Sequence, residues 1–280
     1  MALGTEGIEM KRLRIYLPFA VNEIKTQMAY KGAFYLFILI STFGSFVSYF
    51  LWNAIYGSSQ NAILGGLTRD EMTVYIFMVY VTSSVVAISI SEWVSDDVVK
   101  GTVAMQLIKP IDYRLSLIAR ALGQMIYRFL LPSVFIWIGL EMYKYFVLGL
   151  SFTPIANMAL YILSCLLSFL IFVLFDFCVG MIAFFTSYVF GLFMVKEALL
   201  SFLTGQLIPL SFFPAAVQRI FDFLPFSSMI YTPVMIYLGK YQGMELAWVL
   251  LRQTVWVLLL YGLGTLIWHR VTKRLVILGG

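Results

Sequence analysis

Residues 157–208 read NMALYILSCLLSFLIFVLFDFCVGMIAFFTSYVFGLFMVKEALLSFLTGQLI, an apolar run of 52 positions whose only charged residues are Asp176, Lys196 and Glu197. A helix needs about 20 residues to cross about 30 Å of hydrocarbon, so this run is too long for one crossing and right for two. The turn is expected near Phe184–Ser187, giving spans of 157–183 and 188–208. Pro154 and Asn157 open the first of them.

The rest of the chain fits the same solvent. Of its 280 residues 61% are hydrophobic and only 12% are charged, and the mean hydropathy is +0.92. A soluble domain carries about 25% charged residues. A soluble enzyme, a disordered tail and a secreted disulfide scaffold are therefore excluded, and an all-α polytopic membrane protein with six transmembrane helices is expected. The other spans fall at 33–56, 71–93, 129–150 and 246–268. Thr68 and Glu71 have capping-box spacing at the start of the second, and Pro132 is a tolerated kink in the third. Residues 1–31 form an N-terminal segment and 32–280 a single six-span membrane domain. Within the former, Leu13, Leu17, Val21, Ile24 and Met28 recur at helical spacing among charges, the pattern of an amphipathic helix lying in the headgroup layer. Residues 1–9 are expected to be dispensable, with Met10 an alternative start and no cleavable signal peptide.

The net charge of +5 is spread beside apolar runs rather than gathered into a nucleic-acid patch. With the N-terminus inside, thirteen basic residues fall on the cytoplasmic side: Lys11, Arg12, Arg14, Lys25, Lys31, Lys100, Lys109, Arg114, Arg120, Arg128, Arg270, Lys273 and Arg274. Five fall outside, namely Arg69, Lys144, Arg219, Lys240 and Arg252. This bias predicts cytoplasmic termini. Most enzyme signatures are missing. Gly65-Gly66-Leu67-Thr68 lacks the lysine of a phosphate loop, and the lone His269 beside Arg270 makes no zinc site. Cys165 and Cys178 have neither redox nor metal spacing. Neither catalytic residues nor a cofactor bound by this chain is expected.

Two stretches interrupt the apolar pattern informatively. The polar, basic stretch 95–128 contains Ser95-Asp96-Asp97-Val98-Val99-Lys100-Gly101-Thr102-Val103-Ala104-Met105-Gln106-Leu107-Ile108-Lys109-Pro110. Here Ser95 or Asp96 is expected to cap a short helix, Gly101 to break it, and a second apolar-faced turn to end at Pro110. Such an element suits the groove of another protein. The outer segment 206–241 holds Pro209, Pro214, Pro225 and Pro233 yet is rich in Phe, Leu, Ile and Met. It is read as short helices dipping back toward the bilayer, the alternative being a loop folded on the outer surface.

An acidic residue followed by Gly101-Thr102-Val103, then Leu107-Ile108 and Pro110, resembles the loop after the second span of ABC-2 type transporter permeases. So do Gly205-Gln206-Leu207-Ile208-Pro209-Leu210-Ser211-Phe212-Phe213-Pro214, Leu224-Pro225-Phe226, Tyr231-Thr232-Pro233 and the ending Val276-Ile277-Leu278-Gly279-Gly280. The likeness runs from about Met10 and is closest to the short bacterial six-span branch. The resemblance implies a separate cytosolic ATPase subunit that binds ATP and Mg and docks beneath the chain. It also implies a second permease subunit, identical or related, and a pathway between the two in the cell membrane. It places the ATPase against 13–31 and 96–110, with Asp96, Asp97, Lys100, Gly101, Thr102, Leu107 and Pro110 as the coupling residues.

Charges inside spans cost roughly 2.5–3.5 kcal/mol each at the bilayer centre, so they are read as functional. Asp176, Lys196 and Glu197 are candidates for a pathway or interface, a structural Lys196–Asp176 bridge being the alternative. Lys196 and Glu197, adjacent and about 100° apart, are not expected to pair along one face. Glu141, Lys144 and Arg252 are expected to snorkel to the outer interface. Pro209, Phe212, Phe213, Pro214 and Phe226 are candidates for an outer gate, together with Phe221 and Phe223, ordinary packing being the alternative. The reading that results is an ATP-driven exporter of hydrophobic or amphipathic cargo. An ion-coupled carrier using Asp176, Lys196 or Glu197, and a non-transporting membrane anchor or sensor, are the competing classes.

Overall fold

The computed structural model describes residues 14–186 and 188–278. Lys11, Arg12, Leu13 and the closing Gly279-Gly280 lie outside them. The described chain is about 80% helical, and its two short strands form one small hairpin. In order it contains α1 (Leu17–Ala29), α2 (Lys31–Ser58), the strands β1 (Ile63–Leu64) and β2 (Leu67–Thr68), and α3 (Arg69–Val86). Then come α4 (Ile90–Val99), α5 (Val103–Ile108), α6 (Tyr113–Arg128), α7 (Val134–Phe146) and α8 (Ile155–Gly180). The last helices are α9 (Phe190–Leu203), α10 (Ala215–Phe223), α11 (Tyr231–Tyr237) and α12 (Gly243–Leu278).

Five helical stretches among the described residues are long and apolar enough to cross a membrane: Ile38–Ser58, Arg69–Val99, Tyr113–Phe146, Ile155–Phe184 and Gly243–Lys273. The run 157–208 does divide in two, with its turn between Phe185 and Val189. Its second half is shorter than expected. α9 has 14 residues, roughly 21 Å of helix, and ends before Gly205, whose φ of +78° a side chain would strain. Gly205 instead turns its carbonyl to the buried Tyr75 hydroxyl, which donates at 2.6 Å.

α3 and α8 form the centre, and the outer helices α2 and α12 are mostly exposed. α8 packs on α12, α11 and α4. At one crossing the apolar interior gives way to a polar knot. Gln253 of α12 donates to the Ser228 carbonyl at 2.9 Å and to Ser168 Oγ at 3.0 Å, and accepts from Ser164 Oγ at 2.9 Å. A hydrogen bond between helices needs no hydrophobic effect, which lipid does not supply.

Local chemistry explains the element boundaries. Thr68 and Glu71 make the capping box that their spacing predicts. Gly65 and Gly66, with φ of +55° and +76°, form the two-residue turn between β1 and β2, for which left-handed residues are required. Three boundaries differ from expectation. The stretch 95–128 is not loop: α6, an amphipathic helix, runs through a π turn at Phe129–Ser133 into α7. Pro132 cannot return a hydrogen bond to the Arg128 carbonyl, and Ser133 Oγ donates to it instead at 2.9 Å. Ser95 and Asp96 cap nothing, because they lie within α4. The second span is interrupted at Ala87–Ser89, between α3 and α4.

Candidate functional site

α4, Gly101 and α5 form an elbow. Gly101 has φ +71° and donates its N–H to the Val98 carbonyl at 3.1 Å, closing α4 and turning the chain. Asp97 holds the bend from inside: Thr102 Oγ1 donates to its Oδ1 and the Tyr113 hydroxyl to its Oδ2, both at 2.8 Å. Tyr113 is stacked on Trp268 with centroids 5.3 Å apart, so the elbow is tied to α12. Lys100 pairs with Asp96 at 2.6 Å in the open, an arrangement of little energetic consequence. α5 buries Val103 but leaves Met105 68% and Ile108 83% exposed, with Leu107 and Pro110 also exposed. Pro110 bars Lys109 from helical geometry, and Lys109 takes ψ 140°.

α1 lies across α6. Glu23, buried, accepts from Arg120 Nε at 2.6 Å, and Arg120 in turn sits 3.9 Å above the Trp93 ring of α4. Gly123 lets the backbones touch, since a Cβ there would come within 2.2 Å of the Ala20 carbonyl oxygen. The apolar face of α1, Leu17, Val21 and Met28, is exposed. Asp112 caps α6 through the Arg114 N–H at 2.8 Å. Burial opposes its ionisation, but the hydrogen bonds and charge of Arg114 outweigh that and hold the carboxyl below its ordinary range.

The intraspan charges meet. Lys196 Nζ donates to Asp176 Oδ1 at 2.5 Å and also lies 2.9 Å from Glu197 Oε1, so these neighbours pair after all. Asp176, with no exposed surface, further accepts from the Ser91 backbone N–H at 2.7 Å and its hydroxyl at 3.0 Å. Beside this cluster is a cavity of about 620 Å³ among α2, α3 and α9, with Ser48, Ser83, Ser89, Arg128, Glu197 and Gln206 on its wall. A second cavity of about 430 Å³, lined by Phe46, Tyr49, Phe77 and Ile136, is apolar.

Toward the other end, Glu141 and Lys144 do not snorkel. They are buried and paired at 3.2 Å. Glu141 also accepts from the Thr153 N–H at 3.1 Å, from its hydroxyl at 2.6 Å, and from the Tyr237 hydroxyl. Arg252 pairs with Asp222 at 3.0 Å. The aromatics of 206–241 are dispersed: Phe212 packs on Trp52, Phe213 on Phe221 and Phe226 on Phe175, while Phe223 is exposed. Pro209 and Pro214 precede the short helix Leu210–Phe212 and α10. Sequence reasoning missed Ser91, Tyr113, Glu23 and the capping role of Arg128 described below. Their partners lie 85, 16, 97 and 41 residues away, beyond any local pattern.

A family model described as ABC-2 family transporter protein matches residues 42–279. The chain belongs to that family. It is a membrane permease of the ABC type, and its relatives are in general non-catalytic transport subunits. No curated protein matches it. The match takes in the elbow, the charged cluster and both cavities of this ABC-2 permease, but not α1. Among its described residues no group of three His, Cys, Asp or Glu side chains is placed to hold a metal ion.

Proposed function

We propose that this ABC-2 permease is the translocating subunit of an ATP-driven exporter in a bacterial cell membrane. A separate cytosolic ATPase, carrying ATP and Mg, engages the elbow. A second permease subunit, identical or related, completes the pathway. In this reading the chain crosses six times, with α9 as the fifth crossing and α10 and α11 dipping back at the outer side, and both termini are cytoplasmic.

The observation that carries the reading is the elbow. Its base is pinned by Asp97, Thr102 and Tyr113, while Met105, Leu107 and Ile108 are presented to solvent. A small apolar helix on a rigid base is what a groove-binding contact requires. The test is co-purification from native membranes, comparing wild type with Ile108→Asp. This exposed site tolerates a charge without disturbing the core. Recovery of a subunit that hydrolyses ATP from the wild type and its loss from the variant is expected. A correctly inserted wild type that brings down no such subunit would falsify the reading.

The buried Asp176–Lys196 pair favours the ion-coupled carrier as second reading, since membrane-embedded ion pairs mark coupling sites. Transport that persists without the ATPase and stops when the ion gradient is collapsed would select it.

A further inference from the structure

The second membrane-crossing stretch is broken in mid-course without a proline or glycine. α3 ends at Val86 and α4 begins at Ile90. A break of this kind strands carbonyls at the end of one helix and N–H groups at the start of the next, and in a membrane each needs a partner. Both ends receive a charged one. Arg128 Nη1 donates to the Ala87 carbonyl at 3.1 Å, and Asp176 accepts the Ser91 N–H at 2.7 Å. The signs match the helix dipole, a cation at the carboxyl end of α3 and an anion at the amino end of α4. Neither charge comes from the broken stretch. Arg128 is the last residue of α6, and Asp176 belongs to α8 and is tied through Lys196 to α9.

A second observation shows the juncture to be built. Gly180 lies one turn beyond Asp176, and a Cβ there would stand 2.9 Å from the Ser91 Cα. The absent side chain is what lets α8 approach closely enough for Asp176 to cap α4. The break also opens on the polar cavity, whose wall includes Ala87, Ser89, Arg128 and Glu197.

We propose that Ala87–Ser89 is a hinge in the second span, and that Arg128 and Asp176 are the positioning residues that lock its two ends. Loosening either lock swings α4, and with it α5, relative to α8. Lys196 is shared between Asp176 and Glu197, so the wall of the cavity and the lock on α4 draw on one ammonium group. That this swing carries the ATPase stroke rests on the function proposed above. The hinge itself does not.

The test therefore uses the full-length permease alone, in lipid nanodiscs, with Cys165→Ala and Cys178→Ala as background. Spin labels at Met105→Cys on α5 and Ile155→Cys at the start of α8 report the arm. Labels at Ile155→Cys and Met244→Cys at the start of α12 form the control pair. In the parent a single arm distance should dominate, with any second population below about one molecule in ten. Asp176→Asn and Arg128→Gln should each raise a displaced population to a share comparable with the first, and leave the control pair unchanged. If Asp176→Asn does not insert, Arg128→Gln on the opposite side of the break reads the same lock. An unchanged arm distance in the inserted variants, or a split that appears equally in the control pair, overturns the proposal. A positive result alongside a failed co-purification would leave the hinge standing and remove only the exporter.

Discussion

Among the described residues sit two buried lysine–carboxylate clusters, and they are built differently. In one, Glu141 and Lys144 lie three residues apart on α7 and close on Thr153 and Tyr237, so that the carboxylate is saturated by its neighbours. In the other, Asp176 and Lys196 come from different helices, reach a third through Ser91, and carry a surplus carboxylate in Glu197. The first fastens a loop and α11 to one helix. The second joins three helices at a backbone break and leaves one of its members, half-exposed, on a cavity wall. Equal chemistry thus serves a rivet in one place and an adjustable joint in the other.

The sharpest way to break this contrast is to remove one carboxylate from each cluster. Glu141→Leu strands Lys144 and should cost about 3–5 kcal/mol in thermal unfolding in detergent. Asp176→Leu should cost less, about 2–3 kcal/mol, because Lys196 keeps Glu197 while the Ser91 N–H loses its partner. The reverse ranking would show Glu197 to be no substitute. Gly180→Ala forces a Cβ against the α4 backbone and should cost about 1–3 kcal/mol as overpacking. Unfolding should report that loss, and hydrogen exchange at Ser91 should rise with it. An unchanged exchange rate would mean that α8 does not set the cap. The smallest effect belongs to Asp112. Its folded-state pKa is depressed, so its contribution is present above the ordinary value of 3.8 and fades as pH falls through the lower folded value. Asp112→Asn should flatten the acid side of the stability profile slightly. A variant profile superimposable on the parent would deny Asp112 any part.

Length and capping chemistry made much of the fold legible. The 52-residue run had to divide, and its turn lies close to the expected place, although α9 is much shorter than α8. Thr68 with Glu71, and Gly101, mark boundaries through local rules that hold in any solvent. What stayed hidden depends on partners remote in sequence. Nothing near Ala87–Ser89 announces a break, because the groups that stabilise it arrive from Arg128 and Asp176. Glu141 and Lys144 read as interfacial because nothing in α7 discloses Tyr237. The sequence hides α6 because its charged face masks its apolar one, and hides the role of Glu23 because its pairing with Arg120 inverts the usual sense of an amphipathic helix. Of the candidate site, the elbow was visible as Gly101 between two apolar faces. The joint at Ser91 was not.

The π turn at Phe129–Ser133 has a consequence for the rotational phase of the long helix around it. One extra residue per π turn advances everything beyond it by about 100°. The stripe of α6 that meets α1 is therefore not continued along α7. Arg128, just before the turn, aims at Ala87, and Glu141, beyond it, aims at Thr153. Deleting a single residue within 129–133 would give a more regular helix that can satisfy only one of those two contacts, trading a local irregularity for a mismatch between its two ends.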